Sequence, residues 1–247
     1  MRQVFNSYSM KLLLISNSTN AGEGYLEHAF PHIKSFLGSK QAEILFIPYA
    51  AVTFSYDEYE KKVSQKFIEG GYQIKSIHHF TDPVAAIKKA EVIAIGGGNT
   101  WKLLKMIREN KLIEPVREKV FSGTPYIGWS AGANVACPTI RTTNDMPITE
   151  PDSFEAFCLI PFQINPHYLD VNPEGFAGET REQRIREFIE LNPGIYVAGL
   201  REGTMLLIEG KNVKLIGPKS ARIFIKNAEP FEAGNNDDLS FLLQKNI

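Results

Sequence analysis

From Lys11 to Ser130 the chain repeats one unit: a short apolar run, a turn, then a segment with helical spacing. The runs are KLLLIS (Lys11–Ser16), EILFIP (Glu43–Pro48), YQIKSI (Tyr72–Ile77), EVIAIGGGNT (Glu91–Thr100) and a fifth that ends at Ser130. Between them, helices are predicted from about Gly24 to Leu37, over Tyr56–Gly71, near Pro83–Ala90 and from Trp101. Strands that alternate with helices form βαβ units, which leave little choice beyond a parallel sheet covered by helices on both faces. After about residue 140 the rhythm changes. A Pro- and Asn-rich stretch, Thr142–Glu179, has little regular pattern, and a helix is predicted over Arg181–Leu191. Four short strands follow, IYVAGL, TMLLIEG, NVKLIG and ARIFI, joined by turns such as Glu209-Gly-Lys-Asn212 that read as hairpins. The expected fold class is α/β, a doubly wound and mostly parallel sheet with antiparallel additions at its C-terminal side. Residues 1–9 match no element and are expected to form an extension ahead of a functional start at Met10. Residues 10–247 read as a single domain, a length that one α/β domain reaches.

Several function classes fall away on charge and composition. The formal net charge is −1 and no basic stripe appears, so the electrostatic footprint of a nucleic-acid partner is missing. The longest apolar stretches are strand-sized, well short of the roughly 20 residues that span a bilayer. KLLLIS is too short for the apolar core of a signal peptide, and no small-residue cleavage site follows it. Cys137 and Cys158 are too few for a disulfide framework, which fits a reducing compartment. The expectation is a cytoplasmic globular protein without nucleic-acid or membrane partners, a monomer or small homo-oligomer.

The fifth strand leads into chemistry. In PYIGWSAGANVACPT (Pro125–Thr139) the apolar run breaks at Ser130 into small residues able to start a helix. Gly128, Ser130 and Gly132 match G-x-S-x-G, the nucleophile elbow, in which a sharp strand-to-helix turn exposes the serine oxygen beside helix N-terminal N–H groups. The motif alone is common; its place at the carboxyl end of a parallel strand, where such sheets hold ligands, makes it informative. IGGGNTWKLL (Ile95–Leu104) is a second strand-to-helix turn. Its spacing is not G-x-G-x-x-G, since Trp101 stands where the last glycine belongs, and no G-K-[ST] follows. The glycines can instead bare backbone N–H groups. Gly98 together with Ala131 could then form an oxyanion hole, with phosphate binding and a purely steric turn as the competing readings.

A serine nucleophile needs a base. His28 and His32 on a predicted helix, and His78 and His79 beyond a strand, read as surface groups, which leaves His167 in FQINPHYLD as the candidate. An acid should hold the imidazole's tautomer. Asp145 in RTTNDMP and Glu202 in GLREGTM are candidates, with Asp152 and Asp170 as outsiders. The sheet-anchored position of Glu202 favours it for that bond, leaving Asp145 to shape the site or meet a substrate's amino group. TREQ (Thr180–Gln183) has capping-box form and places Arg181 in the first turn of a helix, where a cation is electrostatically misplaced unless an anion answers it.

IGGGNT, GWSAGANVACPTIRTTNDMPI, INPHY and GLREGT together resemble the peptidase E family, the α-aspartyl dipeptidases of the serine peptidase group that also holds cyanophycinase-like enzymes. The resemblance spans most of the chain from Met10. It implies a fold akin to class I glutamine amidotransferases and hydrolysis of dipeptides with an N-terminal aspartate, without metal or cofactor. It carries the nucleophile to Ser130, the base to His167, the acid to Asp145 or Glu202, and recognition of the substrate's aspartate carboxylate to Arg181. The alternatives are an amidohydrolase of the cyanophycinase or glutaminase type, and a non-catalytic nucleotide-binding module. Serine in place of cysteine argues against glutamine chemistry. Only 36 residues lie between Ser130 and His167, too few for the α/β-hydrolase order.

Overall fold

Strand β1 (Lys11–Ile15) is buried along four of its five residues and lies near the middle of the molecule's larger sheet. A computed structural model of the protein describes residues 9–38, 42–172, 174–175 and 177–244. Of the expected N-terminal extension, residues 1–8 lie outside them; Ser9 donates its hydroxyl to Phe121 O. With β2 (Glu43–Ile47), β3 (Gln73–Ser76), β4 (Val92–Ile95) and β5 (Tyr126–Trp129), β1 forms a parallel array in the order β3-β2-β4-β5-β1. Alternate residues of β1 face opposite cores, as a strand's period of two requires. Leu13 and Ile15 pack with Phe30, Ile33, Val63 and Phe67 of helices α1 (Phe30–Leu37) and α2 (Tyr56–Ile68). Leu12 and Leu14 face Leu103, Ile107 and Val116 of α4 (Thr100–Glu109) and α5 (Ile113–Phe121), with α3 (Pro83–Lys89) on the same side. Each such fully buried aliphatic side chain contributes about 1.5–3 kcal/mol, and both faces of the sheet are served this way. The fold is mixed α/β with a mostly parallel sheet.

The later elements divide between two sheets. Strands β8 (Met205–Glu209) and β9 (Asn212–Ile216) form a hairpin around Gly210-Lys211 and extend the main sheet antiparallel from β1. β6 (Gln163–Pro166), β7 (Val197–Leu200), β10 (Ala221–Phe224) and β11 (Phe231–Ala233) form a second sheet in the order β11-β10-β7-β6. One face of it joins the main core through Ile164, Ala198, Leu200 and Ile223. The other is covered by Ile185 and Ile189 of α7 (Arg181–Leu191), against Val197 and Phe224.

Four expectations are corrected or refined here. Helix α1 starts at Phe30 rather than near Gly24, because Leu26 takes a left-handed conformation (φ 54°) that no continuous α-helix admits. Thr142–Glu179 has little regular structure, as expected, but holds one strand that the pattern does not predict, β6, whose four residues are all buried. The four late strands are not a run of hairpins: only β8–β9 is one, and β7 and β10 pair with each other in the second sheet. His28 is not a solvated helix residue. It precedes α1, its side chain is 8% exposed, and neither ring nitrogen has a hydrogen-bond partner among the described residues. Burial holds its pKa below the usual histidine value. None of the described helices is long and apolar enough to cross a membrane.

The strand order has a switch point between β2 and β4. From β2 the chain moves outward to β3, while from β4 it moves the other way to β5, so the turns after β2 and β4 part company. Open α/β sheets bind ligands at the carboxyl ends of strands at such a switch point. The glycine turn Gly96–Gly98 leaves β4 at this switch point and packs on the turn after β2, with Asn99 N–H donating to Ala50 O.

Candidate active site

Ser130 follows β5 directly and takes φ 53°, ψ −113°, a conformation rarely open to a residue with a side chain. It persists because its surroundings leave no other path. A Cβ on Gly128 would stand 2.3 Å from Gly132 O, and one on Gly132 would stand 2.1 Å from Ile95 O. Both glycines of G-x-S-x-G are therefore required by close packing of the elbow on itself and on β4. Helix α6 (Ala131–Asn134) begins immediately after the serine, so the Ala131 N–H is a first-turn donor with no intrahelical acceptor, and Ser130 does not cap it. On the facing turn, Gly96 N–H is taken by Ile47 O and Asn99 N–H by Ala50 O, whereas no backbone acceptor among the described residues takes Gly98 N–H. The glycines of this turn are also packed against protein: a Cβ would meet Tyr59 Oη at Gly96, Ser130 Cβ at Gly97 and Ala50 O at Gly98, each within 3.0 Å.

His167 follows β6 as Ser130 follows β5, and it too has a positive φ, 53°. Its Nε2 lies 2.9 Å from Ser130 Oγ and its Nδ1 lies 2.7 Å from Glu202 Oε1. A carboxylate on Nδ1 keeps the proton there and leaves Nε2 free to accept from the serine hydroxyl. Strand pairing explains the meeting. β6 and β7 run parallel with Pro166 opposite Leu200, so the residues just beyond them, His167 and Glu202, emerge at the same edge.

Asp145 is elsewhere. Its Oδ2 accepts from Thr100 N–H (2.7 Å) and Thr100 Oγ1 (2.6 Å) at the start of α4, and its carbonyl accepts from Trp101 Nε1. Asp152 pairs with Arg108 and Asp170 with Arg201. Arg181 occupies the first turn of α7, whose capping box of Thr180 and Gln183 is formed as the sequence predicts. It is half-buried and makes no ion pair among the described residues. Burial first, then the nearby Arg184, lower its pKa, and Asp145 opposes them, so this cation and the Asp145 carboxylate share one electrostatic neighbourhood.

Two supporting residues escaped the sequence reading. Ser16, fully buried at the end of β1, donates to Leu200 O (2.7 Å) and accepts from the His167 N–H (3.0 Å). Asn17 accepts from Gly203 N–H (2.8 Å) and so holds the turn that carries Glu202. The only signal was a polar pair directly after an apolar strand, and sequence gives it no partner.

Beneath His167 and Glu202 lies an ionic cluster. Arg201 bonds Asp170 and Glu232, which raises the arginine pKa above its ordinary value. Arg201, then Ser220 and Arg222, hold the Glu232 carboxyl down to about 2, and Arg201 also lowers Asp170. A carboxylate with a depressed folded pKa stabilises above its unfolded value of about 4.3 and loses that contribution as pH falls through the folded value. The melting temperature should therefore drop between pH 4.5 and pH 2 more steeply in the parent than in Glu232→Gln. Parallel curves would show that this cluster carries no such linkage.

The model of the family described as Peptidase family S51 matches residues 12–216. The chain is 52% identical over 237 residues to peptidase E of Nostoc sp. (strain PCC 7120 / SAG 25.82 / UTEX 2576), which covers 96% of this chain and 98% of that one. It is 49% identical over 228 residues to peptidase E of Salmonella paratyphi A (strain ATCC 9150 / SARB42), covering 92% and 99%. In fold it resembles the crystal structure of a peptidase from an acI-B1 Actinobacterium, with a TM-score of 0.68 at 19% identity, over 96% of this chain and 99% of the other.

Proposed function

The chain belongs to peptidase family S51 and is a peptidase, and on that premise we propose that it is a serine-type dipeptidase that cleaves Asp-X through an acyl-enzyme. The observation that carries this reading is the hydrogen-bonded chain Ser130–His167–Glu202, at 2.9 and 2.7 Å. Ser130 Oγ attacks the carbonyl after the N-terminal aspartate while His167 Nε2 takes its proton. The N–H groups of Gly98 and Ala131 stabilise the oxyanion, where such donors contribute about 2.7–4 kcal/mol each. His167 then returns the proton to the departing amine, and water repeats the sequence on the acyl-enzyme. The architecture supports a kinship with class I glutamine amidotransferases, which share the parallel sheet and place a nucleophile at a strand-to-helix elbow.

Specificity is assigned to Arg181 and Asp145. A half-buried cation that makes no ion pair among the described residues suits the substrate's aspartate carboxylate, and Asp145, whose charge acts on it, suits the α-amino group. Arg181→Ala should weaken Asp-X hydrolysis by roughly 10- to 150-fold, the equivalent of about 1.5–3 kcal/mol for a charge-assisted hydrogen bond. Asn-X should be almost unaffected. The test is kcat/KM on matched Asp-X and Asn-X dipeptides, and an unchanged preference for Asp would refute this role.

A further inference from the structure

Away from the serine, four donor side chains converge where α2 meets the turn after β3. Asp57 and Glu60 lie one turn apart on α2, and His78 and His79 belong to the short 3-10 turn at Ile77–His79. His78 Nε2 is 2.8 Å from Asp57 Oδ1, His79 Nε2 is 2.6 Å from Glu60 Oε2 and 3.8 Å from Asp57 Oδ1, and one donor atom from each residue falls within 4.8 Å of all the others. We propose that these four residues form a binding site for a divalent transition metal of the zinc class, which pins α2 to the turn after β3.

Three features of the cluster support this. Donor atoms about 2.0–2.2 Å from a tetrahedral zinc stand roughly 3.3 Å apart, so the observed separations need only small side-chain rotations around an ion. The inner ligands are also oriented from behind. His78 Nδ1 is 2.6 Å from Ser76 Oγ, and Ser76 N–H donates to Glu60 Oε1 at 2.8 Å, so one buried residue aims an imidazole and a carboxylate at the same point. Metal-binding histidines are held in this way through their second nitrogen. Finally, the burial is graded. The side chains of His78 and Glu60 are 17% and 19% exposed, whereas those of His79 and Asp57 are 53% and 77% exposed, which leaves an entry path from solvent. Ser76, His78 and Asp57 also line up like a hydrolytic triad, but Ser76 is fully buried and no substrate could reach its oxygen. Two imidazoles with two carboxylates favour zinc, cobalt or nickel over magnesium or calcium, which prefer oxygen alone.

The site is independent of the peptidase reading, and its test does not use hydrolysis. The full chain, stripped with chelator, should bind one zinc ion per chain by titration calorimetry and melt at a higher temperature with zinc than with an equal concentration of magnesium. His79→Ala removes a half-exposed ligand without opening the core, and it should weaken zinc at least 10- to 100-fold, the loss that outer-shell changes alone produce. Ser76→Ala should weaken zinc by about that 10- to 100-fold while keeping one ion per chain. Zinc bound equally by the parent and by His79→Ala, or magnesium bound as tightly as zinc, would overturn the proposal.

Discussion

Ser130→Ala is expected to fold as the parent does and to lose roughly 10⁶-fold in turnover on Asp-X, the scale on which a serine protease loses its nucleophile. The substitution keeps Cβ, so the left-handed conformation at φ 53° and the packing of Gly97 against that carbon are unchanged. Only the hydroxyl facing His167 Nε2 is removed. Whatever rate remains is set by the oxyanion donors and by substrate binding, which persist without the nucleophile. Steady-state turnover beside a thermal melt separates chemistry from folding. A correctly folded variant that keeps more than about 1% of parental turnover would end the serine mechanism.

The second large effect belongs to Glu202. Glu202→Gln should cost about 10⁴-fold in kcat, since an amide facing Nδ1 can hold the ring in the wrong tautomer and cannot stabilise the imidazolium. Asp145→Asn provides the contrast. Its remaining amide oxygen still accepts from Thr100, so α4 keeps its N-terminal partner, but the negative charge beside Arg181 is gone. That variant should raise KM for Asp-X with a much smaller change in kcat. Equal losses of kcat in the two variants would dissolve the division of labour between the acids.

Much of this was legible in the residues. The parallel half could be read because its inner strands are buried on both faces and give continuous apolar runs, as in VIAI of β4 and YIGW of β5. The elbow could be read because its glycines answer to local sterics that spacing encodes. β6 could not. Two of its four residues, Gln163 and Asn165, are polar, and they are buried only because distant loop groups receive them: Thr139 Oγ1 for Gln163, and Thr142 O and Asn144 Oδ1 for Asn165. The split of the late strands into two sheets was invisible for a related reason. β7 and β8 carry similar apolar patterns, and which sheet each joins depends on the pairing of β7 with β6 and of β8 with β1. The preference for Glu202 over Asp145 beside the histidine rests on a strand-end argument, and Glu202 Oε1 stands 2.7 Å from His167 Nδ1.

The end of β1 sets a common datum for Ser130 and His167. Ile15 O receives the backbone N–H of Ser130, and the next residue, Ser16, receives the backbone N–H of His167. The two hydrogen-bonded groups are 37 positions apart in sequence, yet each is measured off from one of two adjacent residues in the buried heart of the molecule. Between them, α6 and β6 and the buried Phe157, Ile160 and Phe162 belong to the frame, whereas Pro147–Glu150 lie outside the core. A designer grafting a new loop between Pro147 and Glu150 would therefore alter the surface there and leave the Ser130–His167 separation as it is.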